Sequence, residues 1–128
     1  MSRSGTLLHR WFDQVWNEAN ADAIDQLLAP DCVIHGLPDP QNKELRGSEP
    51  FKIFWRQFRK DFPDIHVELN EVLVDGDLLA CLCTAIGKHA GSGKWVRFTG
   101  QVLVREKDGK FLEAWNHFDF ETMRQQLA

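Results

Sequence analysis

No apolar run in this sequence approaches the roughly 18 residues that a membrane-spanning helix requires, so a helical membrane protein is not expected. Positive charge is also short. Lys and Arg number 15 against 19 Asp and Glu, a formal net charge of −4. A nucleic-acid binder would need a basic face, so that class is not expected either. One basic stripe exists, Lys52, Arg56, Arg59 and Lys60 on a predicted helix, and it reads as a solvated helix face. The N-terminal stretch lacks the continuous apolar segment of a secretory signal, because Asp13 and Glu18 interrupt it. Cysteine is scarce and odd in number, with only Cys32, Cys81 and Cys83. Cys81 and Cys83 point the same way on a predicted strand, yet a lone Cys-x-Cys is a weak zinc signal and reads better as two small buried thiols. The expected compartment is a reducing cytoplasm. There is no Gly-rich phosphate loop, no Gly-x-Ser-x-Gly elbow and no metal-ligand spacing. Without these, cofactor-free chemistry or plain binding of a small hydrophobic ligand is expected, with no metal.

What is present is enough for one domain, residues 1–128, with its own core. Nine Phe and five Trp sit in a chain that is 43% hydrophobic, a globular composition with no repeats or low-complexity linker. Leu8, Trp11, Phe12, Val15, Trp16 and Ala19 repeat at helical spacing within Leu7–Ala19. A second helix is predicted over Ala21–Leu28, stopped by Ala29-Pro30. A short strand follows at Asp31–Gly36, then a loop marked by Pro38, Pro40 and Gly47. Ser48 reads as the N-cap of a third helix with Pro50 in its first turn. That helix carries Phe51, Phe54, Trp55 and Phe58 on one face and ends at Phe62-Pro63-Asp64. Strands are predicted over about 65–74, 78–89 and 95–105, joined by Gly-containing turns. A last strand over 111–119 precedes a helical turn at Met123–Leu127. Helices first and antiparallel strands after is the order of an α+β domain with helices on one face of a curved sheet.

The last hairpin decides which side chains share a face. Asp108-Gly109 between two strand runs is a strong turn signal. A two-residue type I′ turn pairs Lys107 with Lys110 and puts Val102 and Val104 beside Trp115, His117 and Asp119. A type I turn with a glycine bulge pairs Glu106 with Lys110, and then Val102 and Val104 share their face with Leu112, Ala114, Asn116 and Phe118. The bulged version is preferred because its face is apolar around one amide, as a pocket wall should be. Trp115, His117 and Gln101 then lie on the opposite face.

The chain resembles the SnoaL-like polyketide cyclases and ester cyclases of the nuclear transport factor 2-like superfamily. The resemblance rests on Leu28-Ala29-Pro30-Asp31-Cys32-Val33-Ile34-His35, Arg46-Gly47, Asp61-Phe62-Pro63-Asp64, Asp75-Gly76-Asp77 and Gly87-Lys88-His89-Ala90-Gly91, closing with Arg105, Asp108-Gly109-Lys110, Glu113-x-Trp115 and Met123–Leu127. It implies a cone-shaped fold, three N-terminal helices packed on a curved antiparallel sheet, with a deep pocket and often a homodimer through the convex face. In the cyclases such a pocket promotes an intramolecular aldol closure of a polyketide ester without a cofactor, an aspartate moving the proton. This sequence departs from that pattern. The aspartate's position holds Asn116, its histidine partner's position falls near Val102, and the segment after Gly-x-His-x-Gly is shortened to Ser92-Gly93-Lys94.

Three residues are therefore candidates for chemistry. His35 stands where related isomerases place their proton-abstracting carboxylate, and an imidazole can act as base or donor near neutrality. Asn116 can donate to a carbonyl or enolate oxygen, or simply satisfy a buried polar group. Asp119 could supply the missing carboxylate, although strand ends often carry exposed ones. Trp11, Val15, Phe51, Phe54, Trp55 and Phe58 are expected as apolar walls or ordinary core, Val102 and Phe118 as the strand wall, and His89 at the rim. Two functions stay open: an enzyme acting by proton transfer on a small hydrophobic carbonyl compound, and a non-catalytic binding or dimerisation module.

Overall fold

A computed structural model describes residues 5–38 and 44–128; Pro40 of the predicted loop lies outside the described residues, as does the start of the chain through Ser4. Thr6 opens the first helix, its hydroxyl accepting the His9 N–H at 3.2 Å. Helix α1 (Leu7–Arg10) runs directly into a π-helical segment, Trp11–Asn17. Trp11, Phe12, Val15 and Trp16 of this segment are all buried, and π turns are frequent at functional sites. Asn20 caps α2 (Ala21–Leu27) by accepting the Asp22 N–H at 3.0 Å.

Strand β1 (Leu28–His35) begins earlier than the predicted Asp31. Its pairing is irregular between Leu28 and Val33, which is where a sheet tolerates Pro30. After the two-residue β2 (Leu45–Arg46), α3 spans Ser48–Asp61. The expectation that Ser48 caps α3 is corrected: Gly47 is the cap residue, with φ 80° and no side-chain bond. Its N–H donates to the Cys32 carbonyl at 2.8 Å. A Cβ there would lie 2.7 Å from the Pro30 oxygen, so this tether to β1 needs glycine.

Strands β3 (His66–Asp75), β4 (Leu78–Lys88), β5 (Trp95–Lys107) and β6 (Lys110–Phe118) form an antiparallel meander. The full sheet order is β2-β1-β6-β5-β4-β3. It is not wholly antiparallel as expected, because β1 pairs parallel with β6. The chain between them is long enough to cross over, as parallel pairing demands. Burial alternates along β5, with Val96, Phe98, Val102 and Val104 inward. That concave row meets the helices, and the core lies between.

The β5–β6 turn combines both readings of the sequence. Asp108 (φ 54°) and Gly109 (φ 78°) are both left-handed, so Lys107 pairs with Lys110 as in a type I′ turn. The bulge falls later: Arg105 faces Glu113 while Glu106 faces Phe111, leaving Leu112 as the extra residue. Val104 then faces Ala114 and Val102 faces Asn116, so the preferred face stands with Phe111 in place of Leu112. Beyond β6, helix α4 (Phe120–Leu127) is longer than the predicted turn and carries no fully buried residue. Among the described residues no helix is long and apolar enough to cross a membrane.

Candidate functional site

Between the helices and the concave sheet lies a cavity of about 60 Å³. That holds about four to six waters. Trp11, Phe12 and Trp16 line it from the π segment, Phe51, Phe54 and Phe58 from α3, and Val102, Val104, Phe111, Ala114 and Phe118 from the last hairpin. Leu37, Phe54, Phe58, Phe118 and Phe120 are only half-buried and mark its open end. Trp16 meets Phe51, Phe54 and Phe58 edge-on, with centroids 5.7–6.4 Å apart. Such contacts fix ring orientation as well as burying area. Of the expected wall residues, Val15 and Trp55 do not line the space. Val15 is fully buried behind it, and the Trp55 indole N–H donates to the Val15 carbonyl at 3.0 Å. The spacing could not separate them from the lining set, since Val15 and Trp55 share the apolar faces of their helices with residues that do line it.

Asn116 is the polar side chain of the lining. Its Nδ2 donates to the His35 carbonyl at 3.0 Å. The two strands come this close because Gly36 follows: it has φ 86°, and a Cβ there would overlap the Asn116 main-chain oxygen at 1.8 Å. Gly100 plays a similar part at the open end, where a Cβ would sit 2.3 Å from the Phe118 ring.

The other two candidates for chemistry lie elsewhere. The expectation that His35 reaches into the pocket is corrected. Ile34 takes the inward position beside Ala114, so His35 pairs with Trp115 on the convex face. There its Nε2 lies 2.7 Å from Glu113 Oε2, and its ring stacks on Trp115 at 5.5 Å. Asp119 does not line the cavity either. It is the exposed cap of α4, accepting the Thr122 N–H at 3.0 Å and its hydroxyl at 2.6 Å. Those two bonds hold its carboxyl below the usual value. His89 stands in the β4–β5 turn, where its Nδ1 accepts the Ser92 N–H at 3.1 Å. It touches the Phe62 ring, at 5.4 Å, and not the cavity.

Helix α4 lies along β5 where β6 has ended. The Gln126 side chain takes the place of a missing strand there, accepting from the Arg97 N–H at 2.7 Å and donating to its carbonyl at 3.0 Å. Lys94 Nζ donates to the main-chain oxygens of Leu127 and Ala128 at 3.3 and 2.7 Å. This clasp holds Phe120 against Phe98 and Phe118, both 5.8 Å away, over the open end. The preferred parity of the last hairpin places Val102, Val104, Ala114, Asn116 and Phe118 on this wall, while Phe98, Phe111 and Phe120 escaped sequence reading. Alternation along β5 could have given Phe98.

None of the three thiols lines the cavity. Cys81, lowered by its hydrogen bond with Cys83, is buried away from it, and the other two are raised. Burial pushes Cys32 up to about 12, with Asp31 and Glu113 adding to it. Cys83 is pushed up by its hydrogen bond with Cys81 and by burial. On the convex face, Leu73, Ala80, Leu103, Trp115 and His35 form one cross-strand row, and Leu73 and Leu103 are exposed.

The family model of the SnoaL-like polyketide cyclases matches residues 6–127. Among curated proteins, none matches this sequence. Solved structures resemble it along nearly its whole length. IdmH, a candidate polyketide cyclase from Streptomyces antibioticus, is 26% identical with a TM-score of 0.84, over 98% of this chain and 99% of that one. A candidate polyketide cyclase from Bacillus cereus is 30% identical with a TM-score of 0.82, over 94% of this chain and 77% of that one. AclR of Streptomyces galilaeus, described as a candidate hydroxylase, shares the fold at 22% identity and a TM-score of 0.81, over 94% and 92%.

Proposed function

This chain belongs to the SnoaL-like polyketide cyclase family, and from that premise we propose that it takes a flat, uncharged, polyketide-like carbonyl compound into the aromatic cavity and promotes proton transfer on it, as a cyclase or isomerase would, without a cofactor. The observation that carries the reading is an apolar cavity whose lining holds a single amide, Asn116. An apolar wall favours a neutral hydrophobic ligand, and one convergent polar group fixes where its oxygen sits. Asn116 would hydrogen-bond the reacting oxygen, the role in which an amide lowers the cost of developing charge. His35 acts on this site through its main-chain carbonyl, so its imidazole is not required for turnover. Asp119 is kept in its capping role.

A second reading is favoured by a specific observation. Among the described residues no carboxylate, imidazole or thiol lines the cavity, which suits a binding module that leaves its ligand unchanged. A mass-spectrometric turnover assay on a panel of polyketide-like methyl esters, run beside tryptophan-fluorescence titration, separates the two. Turnover by wild type supports the enzyme. Binding alone, with activity appearing only in Asn116→Asp, supports a scaffold that has lost its acid/base group.

We also propose that the protein is a homodimer through the convex sheet face. Leu73 is 73% exposed, Leu82 46% and Leu103 38%, and apolar side chains grouped on one sheet face are where a partner saves most exposed area.

A further inference from the structure

We infer that Asn116 recognises a hydroxyl, the enol or phenol form of the ligand, in preference to a bare carbonyl or ether oxygen. The inference rests on the reading of the cavity as the ligand site and adds the direction of its hydrogen bond. It begins with the partner already in place. A main-chain carbonyl can only accept, so the amide end turned to the His35 oxygen at 3.0 Å is the NH₂ group. The orientation of this amide is thereby fixed by chemistry, since exchanging its oxygen and nitrogen would set two acceptors against each other. Gly36 makes the arrangement rigid. Its left-handed backbone lets β1 leave the sheet directly after His35, in contact with the Asn116 main chain.

One N–H of Asn116 is spent on that bond. Its Oδ1 has no hydrogen-bond partner among the described residues. No fully buried side-chain nitrogen or oxygen among them goes unpartnered either, so Oδ1 stands open to space that a ligand can fill. What the amide offers the cavity is one acceptor and one remaining N–H. A ketone, ester or ether oxygen can use only the N–H and leaves Oδ1 unsatisfied once water is displaced, an arrangement that costs affinity. A hydroxyl donates to Oδ1 and can take the N–H as well. Besides Asn116, the described lining carries polar side-chain atoms only as the Trp11 and Trp16 indole N–H groups, which can donate but not accept, and neither is bonded to Oδ1. The site therefore favours the enol tautomer of an enolisable ketone over the keto form, and a phenol over its methyl ether.

The test uses three probes of one ring system, naphthalene, 2-methoxynaphthalene and 2-naphthol, titrated by tryptophan fluorescence against the full-length protein. Wild type is compared with Asn116→Leu, and with Asn116→Ala should the leucine variant not fold. The hydroxyl-over-ether preference should be about 2- to 12-fold greater in wild type than in the apolar variant, the ratio expected of one hydrogen bond. Comparing ratios cancels the size difference between the two probes. An unchanged preference, or a wild-type preference for the ether that Asn116→Leu abolishes, would overturn the inference. Naphthalene keeps the two claims apart. If naphthalene binds and the hydroxyl preference does not depend on Asn116, only the inference falls; if naphthalene and both derivatives fail to bind, the reading of the cavity falls and takes the inference with it.

Discussion

Gly36, Gly100 and Asn116 carry more of the site than any charged residue. Gly36 has φ 86° and no room for a Cβ beside the Asn116 oxygen. Gly36→Ala should therefore lose at least about 1–3 kcal/mol, the cost of holding a non-glycine residue in that region, as read by urea unfolding. Gly100→Ala should displace the Phe118 ring and cost about 1–3 kcal/mol, as overpacking does. It should also shift probe affinity, which a purely structural glycine would not. His35→Ala removes the contacts to Glu113 and Trp115 but keeps the main-chain carbonyl that binds Asn116. Turnover per folded molecule should stay within a few-fold of wild type, and a loss of activity in a folded variant would return the imidazole to the mechanism. The sequence pointed to Asn116 because a resemblance marked its position. It misplaced His35 because a strand's parity cannot be read until its partner and register are known, and the parallel partner of β1 is 80 residues away.

The helical stretches over 7–17, 21–27 and 48–61 were legible because their apolar spacing is strong and each buries large side chains, but the π winding from Trp11 to Asn17 inside the predicted Leu7–Ala19 helix was not. The cap of α3 was not, since the choice between Gly47 and Ser48 was made by the contact with Pro30 in another strand. The last hairpin shows the same limit. Its turn residues announced a turn, but Leu112 as the bulge followed from packing Phe111 into the cavity. Helix α4 was read only as a final turn, because its length depends on Gln126 and Lys94 bonding to a strand that sequence proximity does not reveal. Its hold is exposed hydrogen bonds, so Gln126→Ala should raise amide exchange in 120–127 ahead of α2 and α3. Uniform exchange across all the helices would show that α4 is not held separately. Acid should act the same way. The Asp119 carboxyl is lowered in the fold by Thr122, so its cap is intact above the unfolded carboxylate value and is lost as pH falls through the lower folded one. Exchange in α4 should rise in that window, and Asp119→Asn should blunt the rise.

At the scale of the whole molecule, one mixed sheet does two jobs. Its concave face walls a cavity and its convex face presents an apolar row ending in the stacked Trp115 and His35. Leu103 lies near the middle of that row, so Leu103→Asp should convert the proposed dimer to a monomer in sedimentation velocity with little change in melting temperature. A wild type that sediments as a monomer would remove the dimer. Composition and element order were sufficient for the α+β class and for helices on one face of a sheet. The parallel β1–β6 pair was out of reach, since nothing local distinguishes a strand that will join the far edge of a meander.

The central claim is that ligand and chemistry share the aromatic cavity around Asn116. Ala114 faces that space and is 7% exposed. Ala114→Leu adds three carbons to the wall without adding a polar group, and its folding can be checked by thermal melting. The measurement is the affinity of 2-naphthol, with turnover of the ester panel, in wild type and Ala114→Leu side by side. The cavity account predicts that both fall together, by tenfold or more, in a variant that still melts cooperatively. Affinity and turnover unchanged in that folded variant would contradict it and place the ligand outside the cavity.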